Sequence, residues 1–385
     1  MKIYDVIIVG GGPAGCAAAL ELADKAEVLL LEKYKFPRYK ACGGGVTPLV
    51  STLLPFTLAD TCDTYSTRAI IQYKLDGTEF VVTSEKPFLY FYRRERFDNM
   101  LFEFAKKEVD VIEGMPVSDI IEDRDNFKII TDCESYRGKY VIIAAGANFK
   151  IIRKLFPENI YLNYSASEIE YFTNETDNIS KTPVFYLGYP SNGYSWYFPK
   201  KNGYSRGGGV FGKSKVDLEI FNALRIQPSS EQRDHRFQQS NWTIPILKSG
   251  ITRRKNIFLC GDAAGLADPL TGEGIRFALI SGKRTAQLIL SELQGVRTDN
   301  LFGEIYQDIR EENRLAFLLA KYFFGHSQLM SFLMKTMGNE LSQSYLNLVT
   351  GKTNYNKLLK NHKNYLKILR KSMRYFYKKS LNSIC

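Results

Sequence analysis

A β-branched run turning through clustered glycines into an alanine-rich helix, a second strand closing on an acid, and a later strand–loop–helix built on a Gly-Asp pair predict an α/β chain. The expected architecture is a Rossmann-type dinucleotide-binding domain, an inserted and mostly antiparallel β-sheet substrate domain, and a helical C-terminal region (α+β overall). The first domain is assembled from residues 1–50, 88–155 and 251–297, and the second from 51–87 and 156–250. Residues 298–385 form the helical region with a basic amphipathic tail.

The first element is the strand Val6 to Val9, which leads into Gly10-Gly11-Gly12-Pro13-Ala14-Gly15 and a helix-forming stretch from Cys16 to Ala23. Gly10 permits the turn, Gly12 lets backbone N–H groups approach a pyrophosphate at the helix N-terminus, and Gly15 allows close helix–strand packing. The second strand, Val28 to Leu31, ends in Glu32, 22 residues after Gly10. An acid there accepts hydrogen bonds from ribose hydroxyls and repels a 2′-phosphate, so the site suits the AMP half of FAD or NAD rather than NADP. Lys33 beside it belongs to the same candidate set.

Next come Lys40-Ala41-Cys42-Gly43-Gly44-Gly45, whose consecutive glycines permit unusual backbone angles and close approach to a flat ligand such as an isoalloxazine edge. Residues 66–87 read as a hairpin with an Asp76-Gly77 turn, and 160–213 as short alternating strands ending in Gly207-Gly208-Gly209-Val210. Alternation places Tyr194, Trp196 and Phe198 on one strand face. That face is either an apolar wall for a long hydrophobic ligand or an ordinary half-buried strand. A further strand, Ile257 to Cys260, feeds Gly261-Asp262-Ala263-Ala264-Gly265 and then Asp268-Pro269-Leu270-Thr271-Gly272-Glu273-Gly274-Ile275. Helical periodicity follows from Leu301. Residues 355–380 read as a basic amphipathic helix with Leu358, Leu359, Tyr365, Leu366, Leu369, Met373 and Phe376 on one side. Such a helix either lies on an anionic membrane surface or packs on the body with its basic face solvated.

The 44% hydrophobic and 24% charged residues are those of an ordinary globular protein. The net charge of +11 is concentrated at the end of the chain: no Asp or Glu follows Leu341, while ten Lys or Arg lie between Lys352 and Lys379. Six scattered cysteines without a C-x-x-C pair and three histidines suggest neither a disulfide framework nor a metal site. No apolar stretch approaches the ~20 residues of a membrane span, and Asp5 and the glycines interrupt any signal-like start. A cytoplasmic location is therefore expected, with any membrane contact peripheral at the inner face. No recognisable module suggests nucleic acid binding.

Gly261-Asp262 resembles the Gly-Asp motif of the flavoprotein hydroxylase and reductase superfamily. The resemblance implies FAD, with Asp262 on a ribitol hydroxyl and the backbone at Gly272, Gly274 and Ile275 near the flavin pyrimidine. Arg94-Glu95-Arg96-Phe97-Asp98 resembles that superfamily's R-x-x-F-D segment, whose first Arg approaches the pyrophosphate and ribitol. The strand ending Ala144-Ala145-Gly146 resembles its A-x-G strand beside the cofactor, and Val117 completes the set. Within the superfamily, Lys40-Ala41-Cys42-Gly43-Gly44-Gly45 and Gly193-Tyr194-Ser195-Trp196-Tyr197-Phe198-Pro199 resemble the K-x-C-G-G-G and G-Y-x-W-x-F-P motifs of the geranylgeranyl reductase family, across roughly residues 1–295. This implies saturation of C=C bonds in a long isoprenoid chain, with Tyr194, Trp196 and Phe198 along the substrate. Cys42 is then a proton relay, a group holding the substrate, or a buried structural cysteine. The electron donor is open: NADPH, a reduced quinone or an iron–sulfur protein. The alternatives are a flavin monooxygenase or halogenase, whose W-x-W-x-I-P motif this chain departs from, and a non-enzymatic FAD-binding protein.

Overall fold

Strands rich in Val, Ile and Leu on both faces belong in the middle of a parallel sheet, where helices cover them from either side. In the computed structural model, which describes residues 2–73, 78–172, 181–190, 192–211, 236–296, 298 and 305–361, they lie there. The main sheet runs Arg253–Arg254, Ile257–Leu259, Ser135–Ile143, Ile3–Val9, Val28–Glu32, Asp110–Glu113, with Val117–Asp123 and Asn126–Thr131 added as an antiparallel extension. Its central pairs are parallel, and Val6, Ile7, Ile8, Leu29, Leu30, Val141 and Ile142 are fully buried. The helices Pro13–Leu22, Arg94–Glu108 and Ile275–Leu293 cover one face, and the antiparallel extension with the helix Phe149–Leu155 packs on the other.

Glycine sets how closely two of these helices approach. A Cβ on Gly15 would lie 1.9 Å from the Gly10 carbonyl oxygen, and one on Gly282 would lie 2.0 Å from the Ala14 carbonyl oxygen. Helix Pro13–Leu22 is therefore seated against both the turn before it and the helix Ile275–Leu293, which fixes its N-terminus in space.

The second sheet runs Arg236–Ser249, Ile160–Phe172, Gly203–Phe211, Gly193–Lys200, Val184–Leu187, Arg68–Tyr73, Glu79–Thr83. All its pairs are antiparallel except Val184–Leu187 with Arg68–Tyr73. The Asp76-Gly77 turn lies outside the described residues. One face of this sheet is covered by the helix Ser327–Val349, whose Met330, Met334, Leu346 and Val349 pack with Ile71, Phe185 and Trp196. This helix follows Gln307–Gly325 and precedes Tyr355–Asn361. The basic stretch beyond Asn361, with Tyr365, Leu366, Leu369, Met373 and Phe376, lies outside the described residues. Among the described residues no helix is long and apolar enough to cross a membrane.

Gly282→Ala is expected to lower stability by about 1–3 kcal/mol through overpacking. Gly325→Ala, where an added Cβ meets nothing within 4 Å, should stay within about 0.5 kcal/mol of the parent. Denaturant unfolding of both variants checks the contrast.

Candidate active site

The N-terminus of helix Pro13–Leu22 opens into a cavity of about 380 Å³ between the two large sheets. Gly12 occupies the N-cap in an extended conformation without a side-chain cap, and Pro13 needs no partner for its missing N–H. An added Cβ on Gly12 would meet only Arg38 Nη2, at 3.7 Å. Arg38 is mostly buried; its Nη1 lies 3.1 Å from Asp98 Oδ2 without the alignment to donate a hydrogen bond. A bare helix N-terminus beside an incompletely paired guanidinium fits a phosphate. Glu32 stands at the end of the second strand, holding the backbone N–H of Gly11 at 2.6 Å and of Tyr34 at 2.9 Å. Each carboxylate oxygen keeps lone-pair capacity for a ribose hydroxyl.

Arg94 is buried and forms a two-pronged ion pair with Asp98, Nε to Oδ1 and Nη2 to Oδ2, both at 2.8 Å. Burial opposes its charge, but Asp98 and the neighbouring Cys42 outweigh that and hold it protonated. Arg94 is thus no surface charge, and two of its five N–H donors are spent on Asp98.

The Cys42 loop is clamped from the second sheet. Cys42 N–H donates to Glu168 Oε2 at 2.5 Å, and the Lys200 ammonium donates to the carbonyls of Gly43 at 2.7 Å and Tyr92 at 2.6 Å. Burial lowers the pKa of Lys200 against the opposing pull of Glu170 and Glu168. The two glycines are needed for contacts within the protein. A Cβ on Gly43 would lie 2.9 Å from Trp196 Nε1 and Phe198 Cδ2, and one on Gly44, at φ +68°, would lie 1.9 Å from the Tyr92 oxygen. The close neighbour of this loop in the structure is therefore the aromatic strand; a flat ring remains a possible neighbour only on its cavity side. Tyr194, Trp196 and Phe198 do share one face, with successive ring centroids 6.1 and 6.0 Å apart. Tyr194 O–H reaches the Thr271 carbonyl at 2.6 Å, tying the same strand to the second glycine-rich loop.

In that loop the buried Asp268 carboxylate accepts from the N–H groups of Leu270 and Thr271 and from the Tyr355 hydroxyl, fixing the turn that carries Gly272 and Gly274. Gly272 has φ +71°, and an added Cβ would strike the Tyr194 hydroxyl at 2.6 Å. Asp262 opens a 3₁₀ turn at Gly261–Ala264, and Lys40 Nζ lies 3.5 Å from its Oδ2.

One cavity therefore gathers Gly10, Gly12, Pro13, Ala14, Glu32, Lys33, Cys42, Gly43, Gly44, Arg94, Val117, Ala145, Gly146, Gly261, Asp262, Gly272, Gly274, Ile275, Tyr194, Trp196 and Phe198. Gly15 is the exception among the cofactor candidates. It does not line the cavity but packs behind it against Gly10 and Ile8, because its role is to let the helix meet the strand. Arg38, Glu168, Lys200 and Glu273 were missed. A signal existed for two: Lys200 continues the alternation of Tyr194, Trp196 and Phe198, and Glu168 is in phase with the cavity-lining Tyr164 and Ala166. A charged residue on an inward face is the flag.

Residues 4–169 match the family described as pyridine nucleotide-disulphide oxidoreductase. The chain is 33% identical over 350 residues to an uncharacterized protein of Methanosarcina barkeri, covering 85% of each. It is 28% identical over 323 residues to a digeranylgeranylglycerophospholipid reductase of Thermoplasma acidophilum, covering 75% of this chain and 78% of the relative. Among solved structures, a geranylgeranyl bacteriochlorophyll reductase-like protein from Thermoplasma acidophilum superposes with a TM-score of 0.66 at 22% identity, covering 91% of this chain and 92% of that one. A flavin-dependent brominase superposes at 0.70 with 20% identity, covering 98% and 100%. At such identities the structural likeness establishes a shared fold.

Glu32→Ala should weaken FAD binding about 10- to 100-fold, the value of hydrogen bonds to a charged acceptor, as read by fluorescence titration of the FAD-free protein. Lys200→Met leaves two buried carbonyls unmet and should destabilise the protein by about 1–3 kcal/mol for each, measured in urea.

Proposed function

We propose that this chain, which belongs to the geranylgeranyl reductase family of FAD-dependent oxidoreductases, saturates C=C bonds in a long isoprenoid chain carried by a lipid or quinone. The observation that carries this reading is a second, apolar cavity of about 160 Å³ between the second sheet and the helix Ser327–Val349. Ile71, Leu187, Met330, Met334 and Leu341 line it, and it shares Phe185 and Tyr345 with the wall of the first cavity. A ligand with a polar or reactive end near Cys42 and a long hydrocarbon tail matches such a pair of spaces.

FAD, when bound and reduced, supplies the hydride. The chain's own residues do the rest. Gly12, Arg38, Glu32 and Asp262 are placed to hold the dinucleotide, while Trp196 and Phe198 present an apolar wall that keeps water from an alkene. An isolated alkene is a weak electrophile, so the reaction also needs an acid at the cavity wall. The electron donor is NADPH or another reductant delivered to the same cavity. The lipid-borne substrate favours a cytoplasmic protein working at the inner membrane face, with the basic stretch beyond Asn361 drawn to anionic headgroups.

The brominase likeness supports a second reading, in which the reduced flavin meets O₂ and a halide instead of an alkene. The two separate in one experiment: the bound flavin is reduced with dithionite without O₂, and a geranylgeranyl lipid that carries no quinone ring is added. The reductase reading expects flavin reoxidation and a product heavier by two hydrogens per double bond. No reoxidation by any prenyl compound, together with halogenation of an aromatic compound once bromide and O₂ are supplied, would favour the second reading. Met334→Trp, which fills the apolar cavity, should slow a twenty-carbon chain about tenfold or more and leave a ten-carbon chain within a few-fold.

A further inference from the structure

Among the described residues Glu168 makes no direct ion pair, although Lys200 and Arg94 lie within its electrostatic reach. It lies on the strand Ile160–Phe172, is 3% exposed, and forms part of the cavity wall with Cys42, Trp196 and Phe198. Among the described residues no Lys or Arg nitrogen lies within ion-pair distance of it. Its Oε1 is 2.5 Å from Ser205 Oγ, which in turn receives the Trp196 indole N–H at 3.0 Å, and its Oε2 receives Cys42 N–H. The carboxyl is therefore fixed between the cysteine loop, one hydrogen bond away, and the aromatic wall, reached through Ser205. The other acids of the cavity wall are engaged differently: Glu273 has Arg276 Nε at 3.0 Å, Glu32 holds the backbone N–H groups of Gly11 and Tyr34, and Asp268 is tied into its own turn by two backbone N–H groups and the Tyr355 hydroxyl.

We propose that Glu168 is the catalytic acid of the alkene reduction: its carboxyl proton goes to one alkene carbon while the other carbon takes the hydride from the reduced cofactor. The assignment deepens the reductase reading and rests on it. The C=C π bond and the Glu168 O–H bond break, and two C–H bonds form. The alkene is reduced, the cofactor is oxidised, and the Glu168 carboxylate left behind takes a proton from water before the next turnover. Ser205 suits this cycle because its hydroxyl donates to Oε1 and stabilises the carboxylate left when the proton is given up. On this account Cys42 positions Glu168 through its backbone N–H.

Burial raises the Glu168 pKa, with Ser205, Lys200, the Cys42 N–H and Arg94 pulling it back down. Tyr39 and Glu170 also lie within its electrostatic reach. A raised carboxyl is held protonated to higher pH than a free one, so the rate should be full below its folded pKa and fall tenfold per pH unit above it.

Two measurements test the proposal. The first is infrared pH titration of the FAD-free protein. Protonated-carboxyl bands should persist above the ordinary Glu range in the parent, and one component should be lost in Glu168→Gln while those of Glu170, Asp268 and Glu273 remain. The second is single-turnover reoxidation of the reduced flavin by a geranylgeranyl lipid without O₂. Glu168→Gln should retain FAD and be reduced by dithionite, yet be reoxidised at least about 100-fold more slowly and without the alkaline fall. Should that variant fold poorly, Glu168→Asp, which keeps the acid but draws it back, should be slow and still lose activity at high pH. A parent that no prenyl lipid reoxidises overturns the reductase reading and this assignment together. A parent that is reoxidised, with Glu168→Gln within a few-fold of it or with no Glu168 band in the infrared, overturns the assignment alone.

Discussion

The Cys42–Gly44 loop lies against the strand Gly193–Lys200 at a distance that no side chain at 43 or 44 would permit. Much else in the cavity depends on that contact. It brings the cysteine backbone within reach of Glu168 and the Gly43 carbonyl within reach of Lys200, so a carboxyl and an ammonium from the second sheet hold a loop that begins beside the first. Through Tyr194 the same strand also reaches Thr271 in the other glycine-rich loop. One strand thus spaces both loops, and with them the two walls of the cavity. Burying Lys200 opposes its charge, and two hydrogen bonds from a charged donor, at about 1.5–3 kcal/mol each, offset that penalty.

The cavity is chemically divided. Its nucleotide end carries backbone N–H groups, Arg38, Glu32 and Asp262, and its other end is bounded by Trp196, Phe198, Phe185 and Tyr345. Glu168 lies buried at the apolar end, and on the proposed reading this keeps the protonation of a double bond out of reach of bulk water. The chain shares its fold with both a reductase-like protein and a brominase, and a shared fold does not by itself fix the chemistry.

The nucleotide end was legible in the sequence because its parts are local: a strand, a turn of glycines, a helix and an acid at fixed spacing. The aromatic face was legible for a similar reason, since alternation along one strand is a short-range pattern. The helical cover was not. That Met330, Met334 and Leu346 pack on Ile71 and Phe185 depends on contacts between segments more than 100 residues apart, which no periodicity encodes. Glu168 and Lys200 were hidden differently. Each was written into an apolar alternation where its charge was the anomaly, but the partner that explains it sits in a loop far along the chain. The glycines at 43 and 44 were recognised as meaningful; in the structure Gly43 is required by Trp196 and Phe198, and Gly44 by its φ of +68° and the Tyr92 carbonyl.

The central claim is that cofactor cradle and prenyl space are one continuous site joined at Phe185 and Tyr345. A crystal structure of the protein with FAD and a non-reducible geranylgeranyl analogue tests it most directly. The account predicts the dinucleotide along Gly12, Glu32 and Asp262, with the prenyl chain running from beside Cys42 and Trp196, past Phe185 and Tyr345, toward Met334. A chain bound elsewhere, or a cavity that admits FAD but leaves no passage to the helix Ser327–Val349, would contradict it.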